Sequence, residues 1–128
     1  MKKTIFLANA ILSLPFGVIG LAAPGPLFAN FGVSLDTGGQ LIARGYAATL
    51  IGYGLLFFLL RNASDTPVVK ALLIASVAFN LIEAIIQGVA GMNGVTTSII
   101  WGNVVVHGIF AVLSALLVFR LPKENEVA

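Results

Sequence analysis

The chain contains no cysteine, and few of its residues carry a charge. Without cysteine, disulfides, thiolate metal sites and CxxC redox chemistry are excluded, and so are four-helix membrane thiol oxidoreductases as analogues. Charged residues make up 9% of the 128 residues, whereas soluble domains carry about 25%. The seven Lys and Arg residues are spread along the chain and form no basic patch. We therefore predict no nucleic-acid partner.

Apolar residues take the place of the missing charges. They make up 59% of the chain, and the mean hydropathy is +1.04. A soluble fold of this length cannot bury so much apolar surface, so the lipid bilayer is the expected solvent. The sequence predicts an all-α integral membrane four-helix bundle, formed by residues 1–128 as a single transmembrane domain. The predicted spans cover residues 4–23, 41–60, 69–91 and 98–121.

Turn-forming residues separate these spans. Pro24-Gly25-Pro26 ends the first span, and Met92-Asn93-Gly94 separates the third from the fourth. The apolar stretch 27–33 is too short to cross a membrane, so we predict that it is a connector. The N-terminal stretch resembles a secretory signal, but the residues around Ala23 suit a signal peptidase poorly. We therefore expect an uncleaved first span.

The basic residues predict an orientation. With the N-terminus inside, six of the seven lie on the cytoplasmic side, and only Arg44 lies near the outer face. Both termini are therefore predicted to be cytoplasmic, with Trp101 and Tyr46 near the outer interface. The six residues assigned to the cytoplasmic side are Lys2, Lys3, Arg61, Lys70, Arg120 and Lys123.

Polar residues in the third and fourth spans recur at helical spacing. Each set forms one stripe, and polar stripes on membrane helices normally face the bundle interior. Glu83 is the only acidic group between residues 68 and 92, and His107 is the only histidine of the chain. The stripes consist of Ser76, Asn80, Glu83 and Gln87 in the third span, and of Asn103, His107 and Ser114 in the fourth.

Depth counting predicts how the two stripes meet. From the outer ends of the two spans, Gln87 and Asn103 are each four residues deep, or about 6 Å. Glu83 and His107 are each eight residues deep, or about 12 Å. We therefore predict a Gln87–Asn103 pair and a Glu83–His107 pair. Arg44 and Tyr53 of the second span complete a candidate binding cluster of Glu83, His107, Arg44, Gln87, Asn103, Asn80 and Tyr53.

Each of these residues also has a purely structural interpretation. Interhelical hydrogen bonds are common in membrane bundles, and this is the favoured role of the amides Asn80, Gln87 and Asn103. For His107, a hydrogen-bonded core histidine is favoured over a metal or haem ligand. For Glu83 the structural and functional interpretations stay equally open, because a carboxylate at this depth is costly. We predict no catalytic residue, cofactor or metal.

The runs PFGVIGLAAPGPLFANFGV and RGYAATLIGYGLLFFLLR, followed by a polar third span, resemble small bacterial four-helix membrane proteins. Most of these are domains of unknown function, and they are distantly DoxX-like. The markers are Pro24-Gly25, Arg44-Gly45 and helices rich in small residues. The resemblance implies a bacterial inner-membrane location and no settled activity.

Three functions remain open at this point. The first, which the sequence favours, is a non-enzymatic accessory or structural bundle, with homo-oligomerisation left open. The second is proton-linked transport or binding of an unidentified small molecule, with Glu83 as the ionisable group. The third, a membrane enzyme or redox protein that uses His107, is the least favoured, because the chain has one histidine and no cysteine.

Overall fold

The computed structural model describes residues 1–121 and contains α-helices but no strands in that range. Four of the helices are long and apolar enough to cross a membrane, and one is short. The all-helical class and the four candidate spans are thus confirmed. In chain order the helices are α1 Lys2–Ala22, α2 Pro24–Ala29, α3 Thr37–Leu60, α4 Pro67–Met92 and α5 Ile100–Arg120.

Local sequence signals set several of the helix starts. The Asp36 side chain accepts a hydrogen bond from the backbone N–H of Gly39 at 2.6 Å, which caps α3. Thr66 caps α4 through the N–H of Val69, and Pro67 occupies the first position of that helix. Because of these caps, α3 begins at residue 37 and α4 at residue 67, slightly before the predicted spans.

The segment after α1 differs from the prediction. Pro24-Gly25-Pro26 follows the end of α1 as expected, but these residues open the short helix α2 instead of forming a turn. Proline suits the first helical position because its missing N–H would have no partner there. The predicted connector 27–33 is therefore partly helical. Lys123, one of the six residues assigned to the cytoplasmic side, lies outside the described residues.

The long helices associate as two pairs, with α1 packed closely on α3 and α4 packed closely on α5. Glycine permits the close approach within the first pair. A Cβ atom added to Gly17 would lie 2.7 Å from Ile51 Cγ1 and 2.9 Å from the Ala47 carbonyl oxygen. At Gly54, an added Cβ would lie 2.8 Å from Leu14 Cγ. Small residues let membrane helices pack in this way.

The two pairs meet most tightly at one end of the bundle, which we call the terminal end because α1 begins there and α5 ends there. Phe6 and Phe57 pack edge to face at this end, with ring centroids 4.9 Å apart. Both side chains are fully buried. The buried residues here, which we call the terminal cluster, are Ile5, Phe6, Ala10, Phe57, Val69, Leu73 and Leu117.

Candidate binding site

Above the terminal cluster the two helix pairs separate and enclose a cavity of about 600 Å³. All four long helices contribute to its walls, which are mostly apolar. At the opposite end of the bundle, called the loop end, residues of the α1–α3 connection and Thr96 line the cavity. The cavity therefore lies between two helix pairs, with the terminal cluster below it and connecting segments above it.

A hydrogen-bonded set of polar side chains separates the cavity from the terminal cluster, and we call it the polar floor. It contains one residue from α1, one from α3, two from α4 and two from α5. Its members are Asn9, Tyr53, Ser76, Asn80, His107 and Ser114.

Tyr53 is the hub of the polar floor. Its hydroxyl donates to Asn9 Oδ1 at 3.1 Å, lies 2.8 Å from Ser76 Oγ and accepts from Asn80 Nδ2 at 3.1 Å. Ser76 Oγ also lies 3.0 Å from Ser114 Oγ. If the Ser114 hydroxyl donates to Ser76 and the Ser76 hydroxyl donates to Tyr53, the hydroxyls of Ser76 and Tyr53 each donate one hydrogen bond and accept at least one. All four long helices are then joined by satisfied hydrogen bonds.

The amide of Asn80 sets the tautomer of His107. Asn80 Nδ2 donates to the Ser76 carbonyl at 2.9 Å, so its Oδ1 is the atom that faces His107 Nδ1, at 2.8 Å. An amide oxygen only accepts, so Nδ1 of His107 carries the hydrogen. The Phe79 ring packs against the imidazole at 6.1 Å between centroids. His107 is thus a hydrogen-bonded interior histidine, as favoured from the sequence.

Glu83 and Gln87 lie one and two turns beyond Asn80 on α4 and form a separate pair. Gln87 Nε2 donates to Glu83 Oε2 at 2.9 Å. This bond leaves Gln87 Oε1 pointing elsewhere, and that oxygen is buried without a hydrogen-bond partner. Both residues line the cavity and are half-buried. The acidic pair, as we call Glu83 and Gln87, therefore offers acceptor atoms to the cavity.

Across the cavity, Tyr46 of α3 lies close to the Glu83 carboxylate. Other aromatic residues line the walls, among them Phe16 of α1, Phe79 of α4 and Phe110 of α5. Tyr46 was predicted at the outer interface. It is the tenth residue of α3 and lines the cavity, and its depth in the bilayer stays a prediction.

The α1–α3 connection closes the loop end. Phe28, Phe31 and Val33 line the cavity, so the predicted connector forms part of the candidate site. The Phe31 carbonyl accepts a hydrogen bond from the Thr97 N–H at 2.8 Å, which joins the two connections at this end. Gly32 has a φ of 78° and packs on Thr97, where an added Cβ would lie 2.8 Å from Thr97 Cγ2. A positive φ and this close approach both favour glycine.

The hydrogen bonds differ from the predicted pairs. His107 bonds to Asn80 and not to Glu83, while Gln87 bonds to Glu83 and not to Asn103. Side chains spaced four residues apart on one helix are neighbours on its surface, which is why Gln87 can reach Glu83. All four residues of the two predicted pairs nevertheless line the same cavity.

Arg44 does not join the cluster. Its Nε donates to the Leu21 carbonyl at 3.2 Å, near the C-terminal end of α1, and the residue is exposed. The guanidinium thus satisfies a carbonyl that α1 leaves without an intrahelical partner. In consequence, no Arg or Lys of the described residues lines the cavity.

Sequence reasoning missed two residues of the site. Asn9 is the α1 residue of the polar floor, and its Nδ2 donates a hydrogen bond to the Ile5 carbonyl at 3.0 Å. It is the only amide within the first span, and the rule applied to Asn80 would have identified it. Tyr46 gave no such signal, because an aromatic residue fits an interface as well as an interior.

The residue types in the cavity limit what it can hold. Among the described residues, no group of three or more His, Cys, Asp or Glu side chains comes together as a metal site would require. The cavity lining contains one histidine and one carboxylate. The arrangement favours a molecule held by apolar walls and a few hydrogen bonds.

Comparison of the chain with known protein families, with characterised proteins and with solved structures finds no match. The resemblance to small DoxX-like membrane proteins therefore stays a prediction. Function has to be argued from the cavity itself.

Proposed function

We propose that this membrane protein binds a small amphipathic molecule in the cavity and has no catalytic role. One observation carries the proposal. Among residues 1–121, the buried side-chain oxygens and nitrogens without a hydrogen-bond partner are Gln87 Oε1 and Thr96 Oγ1, and both residues line the cavity. Buried polar atoms are normally paired, because leaving one unpaired costs about 1–3 kcal/mol. A bound molecule would supply the missing partners.

The size and chemistry of the cavity support the same proposal. Ligand pockets typically measure about 300–1,000 Å³ and combine apolar walls with a few polar groups. This cavity measures about 600 Å³ and has mostly apolar walls. The polar floor is hydrogen-bonded within itself, whereas Gln87 and Thr96 hold the buried atoms that are left without a partner. A molecule with an apolar body and one polar end matches that division.

Entry from the side fits the exposure of the lining residues. Ile42 of α3 is 75% exposed and Ile86 of α4 is 58% exposed, although both line the cavity. These two helices belong to different pairs and approach each other little along their length. An apolar opening at mid-height of a span would face acyl chains. We therefore propose that the ligand enters from the bilayer between α3 and α4.

Binding is favoured over transport because the cavity has a closed base. The polar floor and the terminal cluster block passage toward the terminal end with fully buried side chains. Transport would require these contacts to separate in a second conformation. Proton-linked transport through Glu83 thus stays a prediction.

A structural role is the second candidate, and the polar floor favours it. Its hydrogen bonds join all four long helices and would set their register without any ligand. An accessory bundle of this kind would need no cavity chemistry. The two functions differ in whether the cavity is occupied.

The proposal is tested with an octanol that carries a photoreactive diazirine. In purified protein in lipid nanodiscs, we expect irradiation to label cavity residues, with Tyr46 and Glu83 among them. Ala90 of α4 lines the cavity, so the larger side chain of Ala90→Phe occupies part of it. We expect labelling to fall by about tenfold, which corresponds to a loss of about 1.4 kcal/mol of binding free energy. The label is mapped by mass spectrometry of proteolytic peptides.

Ala78→Phe is the matched control, because Ala78 lies on the same helix, is exposed and does not line the cavity. It should leave labelling unchanged. Labelling spread over lipid-facing residues, or labelling insensitive to Ala90→Phe, would reject a binding cavity and favour the accessory bundle.

A further inference from the structure

The acceptor atoms in the cavity have no cationic partner. The ion pair found among residues 1–121 is between Lys2 and Asp65, which lie outside the cavity. Arg44 points to the Leu21 carbonyl instead. Glu83 therefore faces the cavity with a neutral amide as its bonded neighbour. A carboxylate within a membrane span is normally paired or uncharged, so an ionised Glu83 would need a partner from outside the chain.

The inventory of hydrogen-bonding atoms favours a donor on the ligand. Glu83 offers carboxylate oxygens, and Gln87 offers Oε1, which is buried and unpartnered. Exchanging the amide atoms of Gln87 would place an oxygen against the carboxylate, so Oε1 must be the free atom. Two acceptors within one turn of α4 suit a group with several N–H donors. An ammonium has three such donors and the complementary charge.

The walls around the acidic pair suit a cation as well. Several aromatic residues line the walls, among them Phe16, Phe79 and Phe110, and aromatic faces attract cations when water is excluded. The remaining walls are apolar and suit a hydrocarbon body. Among the described residues no Lys or Arg lines the cavity, so an anionic group would find no such cationic partner there.

Resting on the proposed function, we infer that the cavity selects lipophilic amines, whose ammonium group binds Glu83 and Gln87 and whose apolar body lies among the aromatic walls. The ammonium could belong to a free amine or to an aminophospholipid. A phospholipid would also bring its phosphate into a cavity lined by no basic side chain, so we expect the free amine to be preferred.

Four probes with one apolar body separate charge from hydrogen bonding. They are 4-phenylbutylamine, its N-trimethylated derivative, 4-phenylbutanol and 4-phenylbutyrate, measured by displacement of the photoreactive octanol in nanodiscs. We expect the amine to bind at least about tenfold more tightly than the alcohol, and the carboxylate to bind most weakly. Glu83→Gln should remove the advantage of the amine over the alcohol, whereas Glu83→Asp should keep part of it.

Gln87→Leu removes the unpartnered oxygen and tests whether the ligand binds through an N–H donor as well as through its charge. It should weaken the primary amine severalfold but spare the trimethylated probe, which has no N–H to donate. Lysophosphatidylethanolamine as a competitor distinguishes the two ammonium sources, because displacement by it alone would assign the site to a lipid headgroup. Thermal unfolding of each variant measures whether the fold is kept, and the effect of Gln87→Leu on the primary amine decides the test if Glu83→Gln fails to fold.

The outcomes separate this inference from the proposed function. If the alcohol binds as tightly as the amine and Ala90→Phe abolishes both, the cavity binds ligands but the amine class is wrong. If no probe is sensitive to Ala90→Phe, the proposed function fails and this inference fails with it. A preference for the amine that survives Glu83→Gln would also overturn the inference.

Discussion

The polar residues inside this bundle fall into two groups that differ in how well they are satisfied. The side chains of the polar floor are joined by hydrogen bonds across all four long helices. Gln87, one turn beyond Glu83, keeps a buried oxygen without a partner. Satisfied polar groups stabilise a fold, while unsatisfied ones are a cost that binding can relieve. We therefore assign stability to the polar floor and ligand recognition to the acidic pair.

Tyr53→Phe tests the first assignment. The variant keeps the ring, which packs on Phe57 and Phe79 with centroids 4.8 Å away in each case. It removes the hydroxyl, so Asn9 Oδ1 loses its donor and Asn80 loses an acceptor. We expect the free energy of unfolding in mixed micelles to fall by about 1 kcal/mol. Tyr46→Phe is the matched control, since Tyr46 takes no part in the polar floor. Equal losses in the two variants would contradict the assignment.

Sequence reasoning identified the polar stripes but not their partners. Helical spacing and depth place Glu83 and His107 at one height, and both line the cavity. Pairing depends on side-chain reach and on how far apart the helices lie, and neither is encoded in spacing. Although α4 and α5 pack closely as one pair, Glu83 bonds within its own helix to Gln87, and His107 bonds one turn away to Asn80.

At the scale of helices, small residues decide which helices pair. The contact between α1 and α3 is so close at Gly17 that a methyl group would meet Ile51 and the backbone of α3. The backbone of α3 cannot move away from an added methyl group as the end of a flexible side chain can. Because α1 and α3 pack so closely here, no space is left between them, and the cavity lies between the two pairs.

Gly17→Ala should therefore destabilise the protein by about 1–3 kcal/mol, the usual cost of overpacking a tight contact. Gly52→Ala on α3 is the control, because an added Cβ there would meet nothing within 4 Å. Removing glycine from an open helical position should leave stability unchanged or raise it by up to about 1 kcal/mol. Reversible unfolding of both variants in mixed micelles measures the difference. If Gly17→Ala is no less stable than Gly52→Ala, close packing at Gly17 is not what holds the pair together.

The helix α2 shows where sequence reasoning stops at this scale. Two prolines around a glycine are typical of a break, and a break does occur at Ala23. The same prolines start a six-residue helix whose continuation covers the cavity. Whether a short apolar stretch lies on a membrane surface or packs over a cavity depends on the neighbouring connection, here Thr97. No pattern in the sequence around α2 predicts the hydrogen bond between Thr97 and Phe31.

For the whole molecule, the arrangement of two pairs joined at one end determines the direction in which the cavity faces. The terminal cluster closes the terminal end, and the acidic pair lies in the half of the bundle nearer the loop end. If both termini are cytoplasmic, as the basic residues predict, the acidic pair lies in the outer half of the bilayer. Orientation therefore decides which leaflet would supply an amine.

The absence of cysteine from the chain makes this orientation directly measurable. Ser34 lies in the α2–α3 connection and Ser64 in the α3–α4 connection, and both are exposed. We expect a membrane-impermeant maleimide to label Ser34→Cys in intact bacterial cells, because the loop end should be outside. Ser64→Cys should be labelled only after permeabilisation, since the positive-inside rule places it in the cytoplasm with Arg61 and Lys70. The opposite labelling pattern would show that the orientation is inverted and that the acidic pair lies in the inner half of the bilayer. Labelling of both variants in intact cells would show that the chain inserts in two orientations.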